Sequence, residues 1–171
     1  MSEEFVFNKE KGTIANKRLG LRSFVLGARQ WNSLVQSMYE KFGSAAQAIL
    51  LDAGKSYGSS SAALETVERE TTGSNVDLTI DLLSREAEAA GWGKVTITHY
   101  RASSREIVVV KVESCVFCAG AVGSDQKQVG CFFLKGVISG FAKTLFSPLD
   151  NKVEETHCEL DYCEFTVKLF E

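Results

Sequence analysis

The reactive chemistry of this chain is concentrated in five cysteines, all in its final third: Cys115, Cys118, Cys131, Cys158 and Cys163. An odd set of clustered thiols without a secretion signal points to metal or redox chemistry more than to a disulfide scaffold. Cys158 and Cys163 flank a four-residue turn in CELDYCEF, so a hairpin would set both sulfurs on one face. That is half of a tetrahedral zinc site, whose ligands are thiolate, imidazole or carboxylate. Glu155, His157, Cys131 and the pair Cys115 and Cys118 are the candidates to complete it. Strand parity places Glu155, three residues before Cys158, on the opposite face unless a bulge intervenes. Cys115 and Cys118 have the CxxC spacing shared by metal knuckles and redox dithiols, which makes them a candidate redox pair. Apolar Val116 and Phe117 lie between them, and no helix follows directly as a thioredoxin-type dithiol requires.

Other motifs carry less. DAGKS at 52–56 ends like a phosphate-binding loop, but Ile49 stands where the first glycine is needed and the segment continues a helical pattern. Gly54 and Gly58, spaced by four, instead clear one helical face for close approach of another backbone. The two histidines, His99 on a strand and His157 beside Cys158, support no hydrolytic triad. His99 is a candidate ligand contact, and the glutamates of the helices read as solvated faces. No nicotinamide or flavin fingerprint appears, which argues against an independent reductase.

The net charge of -3 gives no electrostatic case for direct nucleic-acid binding, and 44% hydrophobic with 24% charged residues is the balance of a soluble globular chain. The acidic start MSEEFVFNKEKG lacks the basic and apolar blocks of a signal peptide. CFFLKGVISGFAKTLF contains two lysines and falls short of a membrane span. A cytoplasmic location without membrane insertion is the expectation.

These residues must be positioned by elements that the periodicity reveals. At 171 residues the chain suits one domain, 1–171. FVFNKEKGTIANKRLGLRSFVLG reads as one or two strands. Trp31, Leu34, Val35, Met38, Tyr39 and Phe42 then recur at helical spacing until Gly43. Ser44 opens a second helix reaching TTGSN, and a third runs from Ser74 or Asn75 to Gly91. Two strands follow, rich in β-branched residues, joined by RASSR. A fourth helix spans about Gln128 to Phe146, ahead of Pro148. KVEETHC and CEFTVKLF form the last hairpin. The order predicts an α+β fold, an antiparallel sheet covered by about four helices.

CFFLKGVISGFAKTLFSPLDNKVEETHCELDYCEF, residues 131–165, resembles the signature of the 4-vinyl reductase domain. This hydrocarbon-binding family is related to Golgi transport-particle subunits and to sensor domains of phenol-responsive activators. The resemblance rests on Cys131 before an aromatic-rich helix with Gly136 and Gly140, on VEETHC, and on Cys163 before Glu164 and Phe165. LGLRSFVLG, AILLDAGKSYG and GWGKVTI agree more loosely. It implies a ligand-binding domain of the NO-signalling and Golgi-transport type, commonly a homodimer, with a mainly apolar pocket for a small hydrophobic or aromatic molecule.

The resemblance also implies a structural zinc held by Cys131, Glu155, Cys158 and Cys163. The turn between the last two cysteines is shorter here than in typical members, which brings in His157 as a substitute ligand. Cys115 and Cys118 stand as this chain's own addition, able to form a redox switch. The expected pocket draws on Trp92, Val108, Val110, Val112, Phe132, Phe133, Val137 and Phe141, with His99 as a further contact. The function expected is that of a sensor or carrier with no catalytic residues of its own. A thiol-based redox sensor and an accessory protein of tetrapyrrole vinyl-group reduction are the alternatives.

Overall fold

A computed structural model describes residues 5–17, 22–72, 76–102, 105–118, 124–159 and 162–171. Three short strands open the chain: β1 (Phe5–Asn8), β2 (Thr13–Asn16) and β3 (Arg22–Ser23) form their own antiparallel sheet in sequence order. The segment thus yields one strand more than its sequence predicted. The strands are too short to leave a clear period-2 signature, and Gly12 supplies the positive φ of 60° that the turn between β1 and β2 needs.

The helices α1 (Ala28–Phe42), α2 (Ala45–Thr72) and α3 (Val76–Ala89) follow. α1 ends where Gly43 adopts φ 56° and donates its N–H to the Tyr39 carbonyl at 2.8 Å. β4 (Lys94–Ala102), β5 (Arg105–Glu113), α4 (Ser124–Leu145), β6 (Asp150–Glu159) and β7 (Tyr162–Phe170) complete the order. α4 begins before the predicted Gln128 because SDQK carries no apolar period to mark its first turn. The second sheet has the antiparallel order β4-β5-β7-β6, so the α+β architecture is as expected.

The inner face of this sheet is built in rows. Val95, Val112, Cys163 and Cys158 stand side by side across the four strands; next come Ile97, Val110, Phe165 and Glu155; then His99, Val108, Val167 and Val153. On β7 the alternation is strict: Cys163, Phe165, Val167 and Leu169 are buried, and the residues between them are half-buried. The outer face carries charge, with Lys168 reaching Glu154 at 2.6 Å and Lys111 reaching Glu164 at 3.3 Å.

α4 covers the inner face with Cys131, Leu134, Ile138 and Ala142, a stripe at spacings of three and four. Its opposite side meets α2 at very short range. A Cβ on Gly54 or Gly58 would strike the carbonyls of Phe133 and Val137, and one on Gly136 or Gly140 those of Leu51 and Lys55. The glycines of DAGKSYG are therefore a seam between helices, with Ser59 Oγ donating across it to the Gly140 carbonyl at 3.3 Å. α3 packs over β4, and α1 lies against α2 and α4.

Candidate functional site

Four sulfurs converge where β5, α4 and the β6–β7 hairpin meet. Those of Cys118, Cys131, Cys158 and Cys163 all lie within 4.8 Å of one another. β7 supplies Cys163 and β6 supplies Cys158 directly opposite it, as hairpin spacing requires. Cys131 opens the sheet-facing stripe of α4. Cys118 arrives from a knuckle that leaves β5 through Ser114, at φ 56°, and closes with the Cys118 N–H on the Cys115 carbonyl at 3.1 Å. Cys158 is half-buried; the other three are buried.

The geometry fits a metal better than a disulfide. A disulfide needs its sulfurs about 2.05 Å apart, and none of the pairs is closer than the 2.9 Å between Cys118 and Cys131. Zinc–thiolate bonds of about 2.3 Å make a tetrahedron with edges of about 3.8 Å. Three separations match that edge: 3.8 Å for Cys118–Cys158, 3.8 Å for Cys131–Cys163 and 3.7 Å for Cys158–Cys163. Cys131–Cys158 is 3.4 Å, and the short pair both involve Cys118, at 2.9 Å to Cys131 and 3.0 Å to Cys163.

Proton sharing divides the cysteines into two groups. Donation from Cys118 holds Cys115 down at about 4 and pushes Cys158 well below the usual thiol range. Cys118 and Cys163, the donors, are pushed far up by their contact with Cys115. Of the four converging sulfurs only that of Cys158 is held down; Cys118, Cys131 and Cys163 are pushed up, so a divalent cation would have to displace their protons to take them as thiolates.

Glu155 lies at the edge of this group. The register slips between Glu155 and His157, a bulge that turns Glu155 onto the inner face beside the thiols. Burial first, then contact with Cys158, raises its carboxyl to about 7. Its Oε1 is buried without a hydrogen-bond partner. The four-sulfur group takes Cys118 where the resemblance implied Glu155, so the carboxylate stands next to the cluster. His157 points elsewhere: it is exposed, stacks on Tyr162 at 5.3 Å and faces Glu159 at 3.5 Å.

Further along the same sheet face lies a cavity of about 70 Å³ between α3, α4 and β4–β5. Ile80, Leu83 and Ala87 of α3 form one wall, Leu134 to Leu145 of α4 another, and Val95, Ile97, Val108, Val110, Val112 and Val167 the floor. Trp92 and Phe146 also line it. Every described lining side chain is aliphatic or aromatic.

Cluster and cavity share a wall. Phe117, between the two knuckle cysteines, meets Trp92 edge-on at 5.2 Å, Trp31 at 5.4 Å and Phe133 at 5.6 Å. The Val116 N–H also donates to the Trp92 carbonyl at 3.0 Å. The loop that carries Cys118 therefore holds the tryptophan that lines the cavity.

Of the pocket residues named from sequence, Trp92, Val108, Val110, Val112, Val137 and Phe141 line the cavity. Phe132 packs instead with Val35 and Leu50, and Phe133 with Trp31, Tyr57 and Phe117, because both lie on the α2-facing side of α4. His99 stands one row beyond Ile97, its ring 5.2 Å from that of Phe146, its Nε2 unpaired and 3.8 Å from Glu106. The α3 wall and the inward residues Val95 and Ile97 were not singled out from sequence, although α3's helical period and the alternation of VTIT carried the signal.

No family model and no curated protein matches this chain. Solved structures do. The phenol-responsive sensory domain of the transcription activator PoxR, crystallised with phenol, superposes with a TM-score of 0.77 at 16% identity, covering 98% of this chain and 86% of that one. The fold is shared with that sensory domain. A trafficking protein particle complex subunit 3 from Naegleria fowleri, covalently bound to palmitic acid, matches with a TM-score of 0.59 at 18% identity, over 84% of this chain and 93% of that one. At these identities the likeness is one of fold, and both neighbours are of the kinds named by the sequence resemblance. Among the described residues no helix is long and apolar enough to cross a membrane.

Proposed function

We propose that this chain is a small-molecule-binding sensor or carrier domain, with an apolar ligand in the cavity and a structural zinc on Cys118, Cys131, Cys158 and Cys163. The observation that carries the reading is the cavity itself. Protein interiors are normally packed to crystal-like density, and apolar pockets left at the junction of helices and a sheet are where small ligands bind. Zinc would join the knuckle, α4 and the last hairpin at one point, a folding role that supports the Trp92 wall. Glu155 would then hold a second-layer position, its carboxylate beside the Cys158 sulfur.

Two copies of the chain would report ligand binding through their contact. α1 leaves Leu34 and Phe42 exposed at 49% and 55%, large apolar side chains that a partner copy could cover. Sedimentation of the purified chain at a single monomer mass would remove that part of the proposal.

Native mass spectrometry of protein purified without chelator tests the main reading. The expected result is one zinc per chain together with saturable uptake of an added small aromatic. A chain that carries neither, and instead loses two hydrogens reversibly on mild oxidation, would point to the second reading, a thiol redox sensor. The short Cys118–Cys131 and Cys118–Cys163 separations, 2.9 and 3.0 Å, are the observation that favours that alternative.

A further inference from the structure

We infer that the segment joining β3 to α1 docks on an anionic lipid bilayer, with Phe24, Val25 and Leu26 as the inserting tip and the basic side chains around it as the electrostatic contact. The surface contains no residue of the cavity or of the thiol cluster, so it stands independently of both.

The apolar part shows in the exposures. Phe24 and Val25 are 81% and 79% exposed, the highest values among the described large apolar residues, and Leu26 follows at 42%. They lie between Ser23, the end of β3, and Gly27, the N-cap of α1, so neither sheet nor helix covers them. Val6 and Phe7 of β1, in the sheet that feeds this segment, are exposed as well. A contiguous apolar patch held out in water marks a contact surface.

Charge is segregated around the same segment. From Lys11 to Tyr39 the sequence holds five basic residues, Lys11, Lys17, Arg18, Arg22 and Arg29, and no Asp or Glu, in a chain whose net charge is -3. Arg22 and Arg29 flank the tip, both exposed and neither ion-paired among the described residues. On the large sheet, by contrast, Lys94, Arg101, Lys111, Lys152 and Lys168 each lie between 2.6 and 3.5 Å from a glutamate. β3 runs antiparallel to β2 with Ser23 opposite Ile14, so the chain leaves the sheet at the end that carries the turn after β1. Lys9 and Lys11 are exposed on that turn, with Glu10 between them.

Charge and shape together choose the occupant. Anionic headgroups answer the basic side chains, each worth about fivefold in binding at such a surface, and the apolar boundary beneath them takes the tip. Long arginine side chains reach the headgroups while their neighbours insert. A nucleic acid would answer the charge and leave Phe24 and Val25 in water. A protein partner would need a hollow shaped to three adjacent side chains, whereas a fluid bilayer needs none.

The test sediments the full chain, as purified, with sucrose-loaded vesicles of three parts phosphatidylcholine to one part phosphatidylserine, and with vesicles of phosphatidylcholine alone. Partitioning onto the mixed vesicles should be roughly tenfold stronger or more, and high salt should remove the difference. Equal partitioning onto both, or onto neither, would overturn the inference. Phe24→Ser combined with Val25→Ser alters only surface positions and should weaken partitioning roughly tenfold or more; an unchanged value sinks the assignment. Arg22→Gln and Arg29→Gln should each cost about fivefold at low salt. Phe170→Ser, at an exposed aromatic on the last strand, should cost nothing. Equilibrium sedimentation without lipid decides the competing occupant: a dimer that the double serine variant splits into monomers would give the tip to a second copy of the chain and overturn bilayer docking.

Discussion

The two ends of one sheet face are packed in opposite ways. At the Cys158–Cys163 end, four sulfurs crowd to separations as short as 2.9 Å. At the other, over β4 and β5 from Val95 and Val112 to Val108, apolar side chains leave about 70 Å³ unfilled. A void of that size costs about 2 kcal/mol at the rate measured for core truncations. The crowded end is costly too, unless a cation replaces the shared thiol protons. Regular alternation of apolar residues along the strands is common to both ends. The difference lies in what α4 and the loop before it place on top: Cys131 and the Cys118 knuckle over one end, and aliphatic residues that fall short of α3 over the other.

The largest effect is expected at the crowded end, where the ligand set can be decided. Cys118→Ser should strip zinc from the chain and lower its stability by roughly 3 kcal/mol or more, since loss of a structural metal is among the few routes to so large a change. Glu155→Gln should keep the metal, because four thiols remain. Elemental analysis and thermal melts of the two variants check this directly. The reverse pattern, zinc kept without Cys118 and lost without the Glu155 carboxylate, would restore the three-cysteine, one-glutamate set.

A smaller effect should appear at the wall between the two ends. Phe117 is 6% exposed and touches Trp92, Trp31 and Phe133. Phe117→Leu should cost about 1 kcal/mol from lost packing, speed zinc release to a chelator and weaken binding of a small aromatic several-fold. Phe170→Leu, at an exposed position on the last strand, should change neither rate nor affinity. If Phe117→Leu moved only one of the two readouts, cluster and cavity would be independent sites that happen to share a sheet.

The sequence was most legible where chemistry depends on local spacing. Cys158 and Cys163 could be placed opposite each other because a hairpin register follows from turn length, and the inward set of β5 because parity is fixed along a strand. The bulge that brings Glu155 round was recognisable as a requirement, since three residues of regular strand would face it away from the thiols. The identity of the fourth sulfur was not legible. Whether Cys118 or Glu155 reaches Cys131 depends on how the knuckle after Ser114 folds back on α4, a contact between segments with no fixed register. For the same reason Phe132 and Phe133 could be assigned to α4 but not to a side of it: on an all-apolar helix turn, the seam of Gly136 and Gly140 decides which face meets α2. The cavity's α3 wall was the least visible, because a void is defined by what α3 and α4 together fail to fill.

That last point gives the finest test of the contrast. Ala142 and Ala46 are both buried alanines in helices, at 5% and 0% exposure, but only Ala142 borders the cavity. Adding the three extra carbons of leucine at Ala142 should place them in the empty volume, gaining transfer free energy at little strain, so that the variant melts higher by the equivalent of about 1 kcal/mol. The same substitution at Ala46 must push into occupied space and should cost about 1–3 kcal/mol, the usual penalty for overpacking. Denaturant midpoints measured without ligand separate the two. Opposite signs mean that the apolar end holds usable free volume; equal losses would mean that the walls close over it in solution, and that the two ends of the sheet are packed more alike than their geometry indicates.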